Sequence, residues 1–156
     1  MCITASIQVS SSGTQTQQVL KACASSSLCP TTGSQTYSTS LGSLSAVASV
    51  QCCNTDNCNS ETLPFPNDMA NNSLQCFSCD PITGQCNSQL QCRGEEDRCF
   101  QASLTSGNST FSAFGCASTN MCVAAASLGN LPFLQSAVVD CPSALVHVWK
   151  IRMCLF

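Results

Sequence analysis

The sequence predicts a small disulfide-rich all-β protein made of two tandem cysteine-framed modules, and three observations carry that expectation. Fifteen of the 156 residues are cysteine, close to the level at which a disulfide scaffold formed in an oxidising compartment becomes the leading explanation. Charged residues make up only 8% of the chain, against about 25% in an ordinary domain, so solubility must rest on Ser, Thr, Asn and Gln. Finally, apolar residues recur with period two in short runs, and one cysteine pattern occurs twice.

In chain order, Ile3, Ala5, Ile7 and Val9 alternate with polar neighbours, which predicts a half-buried strand, and Ser12-Gly13 supplies the turn that makes it the first arm of a hairpin. Next comes the vicinal pair Cys52-Cys53, followed by Cys58 and Asn59. Adjacent cysteines rarely bond to each other, so each needs its own partner. The simplest solution sends Cys52 backward and closes Cys53 onto Cys58. Loop closure gives that short ring about 2 kcal/mol and a ring from Cys52 back to Cys29 about 3 kcal/mol. Asp56 and Asn59 are expected to hold the loop by side-chain to backbone hydrogen bonds.

Residues 60–73 contain Leu63-Pro64-Phe65-Pro66 and no cysteine, and read as a linker. Beyond them, Cys76, Cys79, Cys86, Cys92 and Cys99 crowd into a short stretch. Phe100, Ala102 and Leu104 repeat the period-two pattern, and Ser106-Gly107-Asn108 the turn chemistry. Helical periodicity is confined to residues 121–128, where Ala124, Ala125 and Ala126 allow a turn or two.

The internal repeat is visible by eye. Cys2-Ile3-Thr4-Ala5-Ser6-Ile7 matches Cys99-Phe100-Gln101-Ala102-Ser103-Leu104, and Cys23-Ala24-Ser25 with Cys29 matches Cys116-Ala117-Ser118 with Cys122. Five residues separate the last two cysteines in both copies. Cys141 then matches Cys52, with Pro142 standing where Cys53 would be. The predicted boundaries are a first module at 1–59, the linker at 60–73, a second module at 74–141 and an aberrant tail at 142–156.

Joining the front of the second copy (L-x-C-x2-C and the cysteines after it) to the rear of the first (Cys-Cys-x4-Cys-Asn) gives a composite that resembles the lymphocyte antigen 6 / urokinase receptor domain, the three-finger fold. The resemblance covers residues 1–141. It implies tandem three-finger domains, the first lacking its N-terminal finger and the second its C-terminal cysteine loop. The family's pairing implies bonds from Cys76 to Cys99, Cys79 to Cys86, Cys92 to Cys116, Cys122 to Cys141, Cys29 to Cys52 and Cys53 to Cys58. Cys2, Cys23 and Cys154 are left over, in keeping with an odd count.

The resemblance also implies a non-enzymatic extracellular binding module, secreted or at the cell surface, whose partner is a protein. Two tandem modules look like the gamma-type inhibitors of secreted phospholipase A2, which makes such inhibition the alternative function. A thiol-disulfide oxidoreductase using Cys76 and Cys79 is the third reading, because C-x2-C spacing also serves redox and zinc chemistry. A zinc site would want a second close pair or histidines, and His147 is the one histidine. No metal, cofactor or catalytic residue is therefore expected: His147 lacks a nucleophile and an orienting acid nearby in sequence, and Asp56 has no calcium-loop context. The cluster Arg93-Gly94-Glu95-Glu96-Asp97-Arg98 reads as a solvated loop, with ligand contact as the alternative. Asn71 and Asn108 head N-x-S/T sequons and are expected to carry glycans in an exported chain.

A net charge of −3 with five scattered basic residues argues against nucleic acid as a partner. No apolar run reaches the roughly 18 residues that span a bilayer, the stretch after Ala144 being broken by His147, Lys150 and Arg152. Met1-Cys2-Ile3 has neither a charged nor an apolar leader segment, so the expectation is that the true start lies upstream and that the last residues derive from an alternative exon or read-through. A chain so shortened is expected to fold poorly and to oligomerise through Cys2, Cys23 or Cys154, and to be soluble if exported.

Overall fold

The computed structural model describes residues 1–26, 28–80, 82–106, 109–128 and 137–141. His147, Cys154 and the tail at 142–156 lie outside them. Strands β1 (Cys2–Ser11) and β2 (Thr14–Cys23) form the first hairpin, in register from Ser11↔Thr14 to Cys2↔Cys23. Ser12 and Gly13, at φ 49° and 87°, make the two-residue turn with both central residues left-handed that matches strand twist. Strands β3 (Gly33–Ser40) and β4 (Leu44–Cys53) make the second hairpin, and β1 pairs with β4 along its whole length.

Strands β5 (Asn71–Ser78) and β6 (Ser88–Arg93) form a separate two-stranded sheet. Strand β5 takes in Asn71, Asn72 and Ser73, which the sequence placed at the end of the linker. Strands β7 (Arg98–Ser106) and β8 (Ser109–Ala117) form the third hairpin of the main sheet. Helix α1 (Thr119–Leu128) starts two residues before the alanine-rich run that predicted it, and β9 (Ala137–Asp140) closes on β7. The halves join where Thr39 and Ser40 of β3 pair with Ala117 and Cys116 of β8. One seven-stranded sheet, ordered β2-β1-β4-β3-β8-β7-β9, therefore runs through both halves.

The core is small. Ile3, Ala5, Tyr37 and Val50 surround the Cys29–Cys52 bridge, and Ala124 of α1 reaches in from the second half. A second cluster consists of cysteines, Cys76, Cys92 and Cys116, backed by Leu74 and Leu90. So few large apolar side chains give units of this size little margin, and covalent closure supplies the remainder. Strand β1 departs from its expected half-burial. Ile3 and Ala5 face the core, yet Thr4, Ser6 and Gln8 on the opposite face are 2%, 0% and 6% exposed. Those three side chains bind the end of the first module and the segment read as a linker: Thr4 Oγ1 donates to Asn59 O (3.3 Å), Ser6 Oγ to Leu63 O (2.7 Å) and Gln8 Nε2 to Asp68 Oδ1 (3.2 Å). Residues 59–68 thus pave a polar strand face, each buried hydroxyl or amide finding an acceptor. Among the described residues no helix is long and apolar enough to cross a membrane.

Candidate binding surface

Among the described residues, six bridges frame the molecule. Cys29–Cys52 and Cys53–Cys58 lie in the first half; Cys76–Cys99, Cys79–Cys86, Cys92–Cys116 and Cys122–Cys141 lie in the second. Cys76 and Cys79 therefore sit in different bridges, and β5 and β6 are each bolted to the β7/β8 hairpin. The sulfurs of Cys76, Cys92 and Cys116 lie within 4.8 Å of one another in a buried cluster. All three are oxidised, and a disulfide sulfur is not the thiolate a metal requires. The Cys53–Cys58 loop is closed by backbone bonds, Cys58 N to Thr55 O (3.3 Å) and Ser60 N to Asn57 O (3.1 Å). Asn59 takes part through its carbonyl, which accepts the Thr4 hydroxyl, where a side-chain role had been expected. Asn71 is exposed at the start of β5; Asn108 lies outside the described residues.

The charge-dense loop 93–98 turns out to be more than a solvated loop. Glu96 is 1% exposed. Its Oε1 accepts Ser38 Oγ and Ser40 Oγ, both at 2.8 Å, and its Oε2 accepts Arg93 N at 2.9 Å. Ser38 and Ser40 point the same way because they stand two apart on β3, so one carboxylate of the second half clips onto the first beside the β3–β8 seam. A buried carboxylate demands such partners. No local signal separates Glu96 from its exposed neighbours Glu95 and Asp97; only the approach of β3 does.

The rest of the loop faces outward over that seam. Arg98 Nε donates to Thr119 Oγ1 (3.0 Å), Thr119 Oγ1 donates to Asp97 Oδ2 (2.7 Å), and Arg98 lies 3.9 Å from Asp97. Asn120 Nδ2 donates to Thr36 O (2.6 Å), while Ser118 Oγ donates to Asn120 Oδ1 (2.6 Å). These bonds fix the start of α1 against β3. Between them lies a cleft of about 440 Å³ lined by Gln35 and Tyr37 from the first half and Glu95, Asp97, Asn120 and Val123 from the second. An adjoining hollow of about 390 Å³ shares Gln35, Glu95 and Asn120 and extends to Ser49 and Leu63.

This surface is anchored at its base by a buried tyrosine and has an exposed apolar rim. Tyr37 Oη donates to Leu28 O (2.6 Å), with Gln35 Oε1 3.1 Å away, and burial pushes its pKa up. Val123 is exposed beside the acidic pair. Two carboxylates, five amide or hydroxyl side chains and an apolar rim can receive a basic, partly apolar protuberance. Leu44, at the start of β4, and Ile82, in the connection between β5 and β6, are exposed, the latter at 92%.

A sequence model described as the u-PAR/Ly-6 domain matches residues 1–61 and again 72–142. The urokinase plasminogen activator surface receptor of Bos taurus is 32% identical over 80 residues, a stretch covering 47% of this chain and 24% of the receptor. The matched region thus spans about a quarter of that relative.

Proposed function

The chain belongs to the u-PAR/Ly-6 domain family, with two copies of the domain in tandem, and from that premise we propose that it is a non-enzymatic extracellular binding protein whose ligand is another protein. The observation that carries this reading is the seam cleft. It is acidic, it has an apolar edge, and it is built from both halves, so it exists only when the two units are docked. Binding surfaces concentrate on loops that a rigid scaffold holds in place, and six bridges provide that rigidity here. A ligand presenting Lys or Arg with a neighbouring apolar side chain matches the cleft. In this reading residues 1–59 and 74–141 are the two units, 60–73 join them, and Asn71 and Asn108 carry glycans. The family resemblance supports secretion or cell-surface display.

The test is a binding series on immobilised chain and on a variant with Glu95→Lys and Asp97→Lys. Two probes are chosen: urokinase plasminogen activator, after which the bovine relative is named, and a secreted phospholipase A2, whose stoichiometric inhibition would specify the alternative ligand class. Saturable binding of either that falls at least tenfold in the variant supports the cleft. Binding indifferent to the charge reversal would remove the cleft from the interface. Thiol-disulfide reductase turnover by the purified chain would overturn the non-enzymatic reading.

A further inference from the structure

A second hollow lies away from the seam, on the face of the main sheet that β5 crosses. Strand β7 sets Gln101 in register with Phe114 of β8 on one side and with Asp140 of β9 on the other. Three side chains therefore stand in a row on one face, with about 5 Å between neighbouring Cβ atoms. Cys99 lies two residues before Gln101 and so shares that face, and its bridge to Cys76 ties β5 there. On β5, Gln75 and Phe77 stand on either side of Cys76. Together these residues line a hollow of about 160 Å³ that has no residue in common with the seam cleft. Phe77 is 50% exposed, Phe114 is half-buried and Asp140 is exposed.

Two phenyl rings and a disulfide make the lining apolar, and its polar groups are one carboxylate and two amides. Gln75 Nε2 already donates to Gln91 Oε1 (3.0 Å), which leaves the Gln75 side-chain oxygen as an acceptor. No Lys or Arg lines the hollow, and the one salt bridge among the described residues joins Arg98 to Asp97, so the Asp140 carboxylate has no counter-charge there. We propose that this hollow receives an arginine side chain of a partner protein, with the guanidinium against Phe77 and Phe114 and its N–H groups on Asp140 and Gln75. The face of a phenyl ring attracts a cation. Among cations a guanidinium suits this lining best, because it is planar, stacks on aromatic rings and engages a carboxylate through two parallel N–H bonds. A lysine ammonium holds its water more tightly and loses more on meeting the same apolar walls. The volume admits the head of one side chain, so the arginine must project from its own protein.

The experiment titrates the full 156-residue chain with N-acetyl-arginine methylamide at constant ionic strength and follows backbone amide shifts by NMR. The matching lysine and norleucine compounds serve as comparisons. The expected result is saturable shifts at Phe77, Gln101, Phe114 and Asp140, about threefold tighter for arginine than for lysine, with no saturation by norleucine. Asp140→Asn should weaken arginine binding about tenfold and Phe77→Leu about threefold. In both variants the amide spectrum away from the hollow should stay as it was, which separates lost binding from lost folding. Lysine or norleucine binding as tightly as arginine would overturn the proposal, and so would the absence of saturable shifts at these four residues. Shifts confined to Gln35, Tyr37 and Asn120 would overturn it too, while placing the cation in the seam cleft and leaving that reading intact.

Discussion

Removing the Glu96 carboxylate should loosen the joint between the two units, and the size of the effect follows from its three hydrogen bonds. Glu96→Ala leaves Ser38 Oγ, Ser40 Oγ and Arg93 N without their acceptor. An orphaned buried donor costs about 1–3 kcal/mol. Against that loss stands the recovered desolvation of a charge, itself several kcal/mol, and an adjoining void of about 30 Å³, large enough for a water to satisfy part of the set. The net expectation is about 3 kcal/mol, equivalent to roughly a hundredfold in an opening equilibrium. Amide exchange reads it locally, because Ser118 N donates to Ser38 O (2.9 Å) and Ser38 N to Ser118 Oγ (3.1 Å) across the seam. Both amides should lose about two orders of magnitude of protection. Glu96→Gln keeps one oxygen for the serines but turns an amino group toward Arg93 N–H, and should fall between. In a Ser40→Ala background one donor is already gone, so Glu96→Ala should cost about 1 kcal/mol less. Protection unchanged within threefold at both amides, or strict additivity in the cycle, would refute the assignment of Glu96 as the clip.

Three further outcomes are expected. Tyr37 is the sole tyrosine, so ultraviolet titration reads it alone; burial should hold its midpoint above the ordinary value of 10.0, with return to that value in denaturant. Since the folded value is the higher, that contribution to stability is full below the unfolded pKa and fades as pH rises through the folded one; a native midpoint at or below 10.0 contradicts the packing. At Gly115 an added Cβ would stand 2.0 Å from Ser40 O and 3.1 Å from a Phe100 ring carbon, so Gly115→Ala should part β8 from β3 and cost about 1–3 kcal/mol, measured as a lowered denaturant midpoint; an unshifted midpoint would show that the seam can give way freely. Asp80 Oδ1 accepts Thr83 N (2.9 Å) and Ile82 N (2.7 Å), and these bonds, Thr83 first, hold its carboxyl below the usual range. Order in the 80–84 turn should accordingly be full above the ordinary Asp pKa and disappear as pH falls through the lowered one, followed by the amide shifts of Ile82 and Thr83, with Asp80→Ala abolishing the transition; amide shifts that keep their transition in Asp80→Ala would point to another group.

Class and module count were legible in the chain because both are written in short-range terms. Cysteine density, the doubled Cys-Ala-Ser pattern and the period-two runs at Ile3 and Phe100 are properties of neighbouring residues, and they led to a β-rich, disulfide-framed molecule in two repeats; the pairing of its cysteines came from the family resemblance. Ser12-Gly13 likewise named its own turn, since left-handed backbone is a local requirement. What the tertiary structure alone decided are the relations between segments distant in sequence. Polar Thr4, Ser6 and Gln8 look solvent-facing until residues 59–68 lie over them. Glu96 looks like Glu95 until β3 brings Ser38 and Ser40 to it, and the acidic cleft does not exist until α1 and loop 93–98 meet β3. Period and composition report which residues seek burial or partners; which face is covered, and by what, depends on a seam of two paired residues whose placement no local pattern encodes.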